Sequence, residues 1–133
     1  MNVELISIPK IEDHRGNLSV IEQDVLPFEM KRVYYLYEVP SGAERGGHSH
    51  IEQKEFLIAL SGSFDVVLND GTEQKTITLN KPFEGLLINP GIWRELNNFS
   101  SGSVCLVIAS AVFDESDYIR EFEEFLEFKS IGK

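Results

Sequence analysis

The sequence predicts an all-β fold, a small barrel or sandwich with one helix at its C-terminus, on three observations. About ten short segments rich in β-branched, aromatic and aliphatic residues follow one another, with turn residues every ~8–12 positions. Asn69-Asp70-Gly71 stands between an apolar run ending at Leu68 and the alternating TEQKTITL, the pattern of a hairpin. Only the final stretch has helical spacing: Tyr118, Ile119, Phe122, Phe125 and Leu126 share one face of a helix over about 116–128.

The elements follow in order. ELISIPKI alternates apolar and polar as a first strand, and Asp13-His14-Arg15-Gly16 turns the chain, leaving His14 exposed. Asn17 to Gln23 alternates weakly as a strand. Asp24 to Phe28 is a loop, because Pro27 has no N–H to give a ladder. Lys31 to Val39 puts Arg32, Tyr34 and Leu36 on one face and Val33, Tyr35 and Tyr37 on the other, so one face lines something polar. Pro40-Ser41-Gly42 is a turn, and Arg45-Gly46-Gly47 leads into a strand carrying His48 and His50. Glu55 to Leu60 and Gly62 to Leu68 are apolar strands; GLLIN and IWREL flank Pro90-Gly91; SVCLVIAS follows Ser100-Ser101-Gly102. Asp114 to Asp117 places acidic residues where a helix dipole favours them, and the charges of REFEEFLEF form its solvated side.

Composition narrows the function. A length of 133 residues suits a single domain spanning 1–133, and 42% hydrophobic residues support a packed core. No apolar run reaches the ~18 residues of a membrane span. No basic segment followed by an apolar one opens the chain, so a soluble protein in the cytoplasm is expected. The single cysteine, Cys105, lies among apolar neighbours and reads as a buried strand thiol. A net charge of −10 repels nucleic acid and anionic membranes, which disfavours both as partners. An anionic small molecule then needs a local cluster of arginines.

The stretch Gly42 to Gly62 carries the chemistry. Residues two apart on a strand point the same way, so His48 and His50 converge on one site, with Glu55 close behind. The spacing Gly42, His48-x-His50, Glu55, Gly62 resembles the first cupin motif, and Gly85, Pro90-Gly91, Arg94 and Asn98 are similar to the second with one substitution. That resemblance implies a small jelly-roll barrel with the two motifs facing each other. In metal-binding cupins the second motif supplies a further histidine, and Arg94 stands in that place. Arginine stays protonated and offers no lone pair, so a metal-free site is preferred to a cation held by His48, His50 and Glu55 alone. Glu55 is then an orienting or structural group.

A closer resemblance runs through Asp13-x-Arg15-Gly16, RVYY, RGGHSH, PGIWREL, NFSSGSVCLV and DESDYIR. This ordered set is similar to the nucleotide-sugar 3,4-ketoisomerases, cupins acting on dTDP-4-keto-6-deoxyglucose. It implies a homodimer, a reaction without metal or redox cofactor, and a product sugar destined for amination and a surface glycan. Ile51 stands where such proteins often carry lysine, and Arg94 where some carry histidine.

The reaction removes the proton at C3, acidified by the C4 ketone, and passes through an enediol. Histidine's ordinary pKa of about 6.5 suits the base. The family match assigns that role to His48, with His50 in a proton relay or orienting the sugar and Tyr34 presenting a hydroxyl to it. Arg32 and Arg45 suit the diphosphate by bidentate contacts. Arg94 and Trp93 complete the substrate-binding set, although Trp93, like Tyr35 and Tyr37, also fits simple packing. A related 3,5-epimerase, a metal-dependent cupin enzyme and a non-catalytic nucleotide-sugar binding module are the alternatives.

Overall fold

The computed structural model describes residues 1–131. In chain order its strands are β1 (Val3–Ser7), β2 (Lys10–Ile11), β3 (Leu18–Ser19), β4 (Arg32–Tyr37), β5 (Arg45–His50) and β6 (Glu55–Ser61). There follow β7 (Phe64–Asn69), β8 (Gln74–Leu79), β9 (Glu84–Ile88), β10 (Trp93–Asn97), β11 (Val104–Ala109) and β12 (Tyr118–Ile119), then α1 (Phe122–Ile131). One sheet has the order β1-β9-β6-β11-β4, the other β12-β5-β10-β7-β8, and β2 pairs with β3 as a small ribbon. Every pairing is antiparallel. The two large sheets pack as a jelly-roll sandwich, as the alternation along the chain predicts.

Burial follows the two-residue period. Phe64, Val66 and Leu68 of β7 face inward, while Asp65, Val67 and Asn69 are only half-buried. The β7–β8 hairpin turns where Asn69-Asp70-Gly71 places it, with the Asp70 carboxylate accepting from the N–H groups of Thr72 and Glu73. The central strand β6 has no polar face over most of its length, because both of its sides are covered. Leu57 and Ala59 enter the core between the sheets, where Leu86, Ile88, Leu96 and Val107 meet them. Phe56 and Ile58 point to the opposite side and are covered by Ile8 and Leu26 of the N-terminal segment. Gly85 is required beside this second cluster, since a Cβ there would lie 2.2 Å from the Phe56 ring. Each such aliphatic or aromatic side chain, fully buried, is worth roughly 1.5–3 kcal/mol of transfer free energy.

The C-terminal region departs from its helical reading. The helix begins at Phe122 instead of near residue 116, and Glu115–Asp117 is a single 3₁₀ turn capped by Asp114. Tyr118 and Ile119 form β12, paired with His50 and Ser49. Backbone pairing to an otherwise open edge of β5 outweighs the local helical pattern, leaving Phe122 and Phe125 to cover the outer face of β10. The expected strand over Asn17 to Gln23 shrinks to Leu18–Ser19, because only β2 lies beside it.

Candidate active site

A cavity of about 310 Å³ opens between the two sheets at the end where the histidine strand lies. From the first sheet, Arg32, Tyr34 and Leu36 of β4 face it together with Glu55 and Leu57 of β6. From the second come Arg45, His48 and Arg94, with Tyr118, Phe113 and Arg120 closing one side. The register explains the convergence: Arg94 is the partner of His48 across β10 and β5, and Gly91 N–H donates to the His50 carbonyl at 2.9 Å. A larger groove of about 590 Å³ lies between α1 and the Asp70 turn and gathers no comparable acid–base groups.

Glu55 is the hub. Its Oε1 accepts from Arg94 Nη1, and its Oε2 accepts from Tyr34 Oη at 2.7 Å and Gln53 Nε2 at 3.2 Å. Burial alone pushes this carboxyl's pKa up, but His48, His50 and the Arg94 charge pull it further down, so it stays ionised. Tyr34 feels the opposite: burial first, then the Glu55 charge, hold its phenol well above the ordinary range. Because that O–H donates to Glu55, its oxygen is left to accept from a ligand hydroxyl.

The histidines differ. His48 lies on the cavity wall, and burial lowers its pKa to about 4, leaving the imidazole neutral near pH 7. Its Nε2 sits 3.6 Å from Glu55 Oε1, beyond hydrogen-bond range, and has no partner among the described residues. His50 is fully buried behind it, edge-on to His48 at 4.8 Å and to Tyr118 at 4.4 Å between ring centroids. The pair shares one strand face, as the His-x-His spacing predicts.

Of the expected binding groups, Arg32, Arg45 and Arg94 lie on the cavity. Arg32 stacks on Tyr34 at 4.5 Å and donates to Tyr118 Oη at 3.3 Å, while Arg45 stands at the mouth. Arg94 is 1% exposed, and besides Glu55 it donates to the Ile92 carbonyl at 3.1 Å. Trp93 is a correction. Adjacent to Arg94 on β10, it points to the opposite face and packs against Phe122 and Phe125, outside the cavity. Cys105 is buried as expected, its thiol pushed up to about 12 by burial and the nearby Glu55 charge.

A metal fits poorly. Ligand atoms of His48, His50 and Glu55 lie within 4.8 Å of one another. However, the Arg94 guanidinium occupies the Glu55 oxygen that faces both imidazoles, and Tyr34 and Gln53 occupy the other. A cation would have to displace a fixed positive charge to reach the carboxylate.

Sequence reasoning missed Phe113, Tyr118 and Arg120 on the wall, and Gln53 and Asp117 behind it. Arg120 lies 4.2 Å over the Tyr118 ring and pairs with Glu115. DESDYIR contains Tyr118, but the apolar spacing of this segment fits a helix face.

The family model described as FdtA: WxcM-like, C-terminal matches residues 1–130. The chain is 40% identical over 129 residues to the TDP-4-oxo-6-deoxy-alpha-D-glucose-3,4-oxoisomerase of Aneurinibacillus thermoaerophilus, covering 96% of this chain and 93% of that protein. QdtA, a sugar 3,4-ketoisomerase from Thermoanaerobacterium thermosaccharolyticum solved with TDP, superposes with a TM-score of 0.96 at 42% identity, over 98% of this chain and 96% of its own. A histidine-to-asparagine variant of QdtA, solved with TDP-4-keto-6-deoxyglucose, gives a TM-score of 0.95 at 41% identity, over 98% and 95% of the two chains. A dTDP-4-dehydrorhamnose 3,5-epimerase from Bacillus anthracis, 13% identical with a TM-score of 0.77 over 88% and 77%, shares the fold alone.

Proposed function

The chain belongs to the family of nucleotide-sugar 3,4-ketoisomerases, and from that premise we propose that it converts dTDP-4-keto-6-deoxyglucose into a dTDP-3-keto-6-deoxyhexose. The observation that carries this reading is a His48 imidazole, held neutral by burial, on a cavity edged by arginines. His48 takes the proton from C3, the C3–H electrons form the C3–C4 double bond, and the C4 carbonyl oxygen takes up charge as the enediol forms. The O3 proton passes to the C4 oxygen as C3 becomes the ketone, and the proton held by His48, or one exchanged for it from water, is delivered to C4. Reactant and product are isomers, so no oxidant enters the balance. Tyr34, whose own proton is committed to Glu55, accepts from a sugar hydroxyl. Arg32 and Arg45 take the diphosphate.

The test is NMR of dTDP-4-keto-6-deoxyglucose incubated in D2O with chelator-treated protein. A 3-keto product labelled at C4, with C3 label in recovered substrate, is the expected result. Label at C5 would instead signal 3,5-epimerase chemistry. No product and no exchange, with or without added metal, would sink the enzymatic reading.

The working unit in this proposal is a homodimer. Val33, Tyr35 and Tyr37 on the outer face of edge strand β4 are 57%, 60% and 59% exposed, beside the apolar cluster that includes Leu106. Sedimentation equilibrium is expected to give twice the chain mass, and Tyr35→Glu with Tyr37→Glu to shift it toward one; a wild-type monomer at micromolar concentration would remove the dimer. Among the described residues no helix is long and apolar enough to cross a membrane. A cytoplasmic location, beside the pools of nucleotide-activated sugars, accompanies this reading, and cell fractionation checks it.

A further inference from the structure

The Asp117 carboxylate is held by three hydrogen bonds from one short stretch of chain. Its Oδ1 accepts from Glu52 N–H at 2.8 Å; its Oδ2 accepts from Gln53 N–H at 3.1 Å and lies 3.1 Å from His50 Nδ1. Its own carbonyl accepts from Ile51 N–H at 3.0 Å. A carboxylate facing backbone donors can only accept, so the His50 nitrogen facing it must carry hydrogen. On the ring's other side, Gln53 Nε2 lies 3.4 Å from His50 Nε2 and also donates to Glu55 Oε2, an acceptor that fixes which end of the amide is the NH2. The second amide hydrogen faces His50 Nε2, from which Glu55 Oε1 is 3.5 Å away.

We propose that Asp117 is a positioning residue for the isomerisation: by holding His50 as the Nδ1–H tautomer it sets the ring on which His48 and Tyr118 pack, and through Gln53 it orients Glu55. The functional half of this inference rests on the ketoisomerase reading. One carboxylate, brought in by the 3₁₀ turn and β12, thus organises groups on both sheets. His50 edges against the wall residues His48 and Tyr118, and Gln53 reaches the carboxylate that Tyr34 and Arg94 share. His50 then acts from behind the wall without touching the sugar.

The protein has three histidines, His14, His48 and His50, so ring 15N–1H correlation spectra can be assigned with His14→Gln and His48→Asn. The wild type is expected to show His50 protonated at Nδ1 and bare at Nε2. In Asp117→Ala the acceptor facing Nδ1 is gone while Glu55 Oε1 stays 3.5 Å from His50 Nε2, so the proton should move to Nε2. The same variant should lose roughly 10–100-fold in kcat with KM changed less than about threefold, the scale of an outer-shell orienting group. A wild-type His50 bare at Nδ1, or protonated at both nitrogens, overturns the tautomer and needs no variant to fold. Inversion of the pattern with kcat retained overturns the positioning role. The expected spectra with no turnover by wild type would remove the ketoisomerase reading and with it the role in catalysis, while the Asp117–His50 geometry would stand.

Discussion

His48→Asn is expected to bind the nucleotide sugar and to turn it over roughly 10²–10⁴-fold more slowly, the contribution of a positioned general base. Asparagine keeps a polar side chain on the cavity wall but cannot hold a proton taken from carbon. Hydrogen–deuterium exchange at C3 should disappear with turnover, while affinity measured by calorimetry remains. The substitution has a second readout, in stability. The folded pKa of His48 is about 4, against about 6.5 when unfolded, so between those values the unfolded chain binds the additional proton. Stability from this group is complete above pH 6.5 and is lost as pH falls toward 4, on the order of 3 kcal/mol across that window. His48→Asn should remove that component of the acid slope. A variant with wild-type kcat would exclude His48 as the base; an unchanged acid slope would mean that the imidazole is not held neutral by burial.

Arg94→Met is the larger structural perturbation. Arg94 and Glu55 lie on opposing sheets, and both side chains are 2% exposed. Removing the guanidinium leaves a carboxylate buried between two imidazoles and a phenol, its charge no longer balanced by a fixed cation. Breaking one side of such a pair costs roughly 3–5 kcal/mol, which for a chain of this length lowers Tm on the order of 10–20 °C. Adding Glu55→Gln removes the stranded charge and should restore at least half of the loss. Activity should not return, since the amide no longer matches Tyr34 and Gln53 as a pure acceptor. A melting temperature within a few degrees of wild type in Arg94→Met would show that the pair contributes little, and failure of the double variant to recover would place the cost in packing.

Both predictions begin from strand pairing. Fold class, the β7–β8 hairpin and the face shared by Arg32 and Tyr34 were legible because each depends on neighbours two to five residues away. The same holds for His48 and His50. Tyr118 was not legible as a wall residue, because its local spacing fits a helix and only the open edge of β5, far away in sequence, pulls it into a strand. Trp93 and Arg94 show the limit from the other side: alternation sends them to opposite faces, but which face meets the cavity depends on where α1 settles.

What the sequence by itself determined is the inventory and its local geometry: a β-rich chain, two imidazoles on one strand face, and an arginine where a metal ligand would stand. What only the tertiary structure decided is how these groups bond. Arg94 meets Glu55 across 39 positions of sequence and Asp117 meets His50 across 67. Periodicity sets the direction of a side chain relative to its own strand. Partner, protonation and solvent access arise when the two sheets close over one cavity, and there Arg94 and Glu55 become a buried ion pair that leaves His48 as the neutral imidazole on the wall.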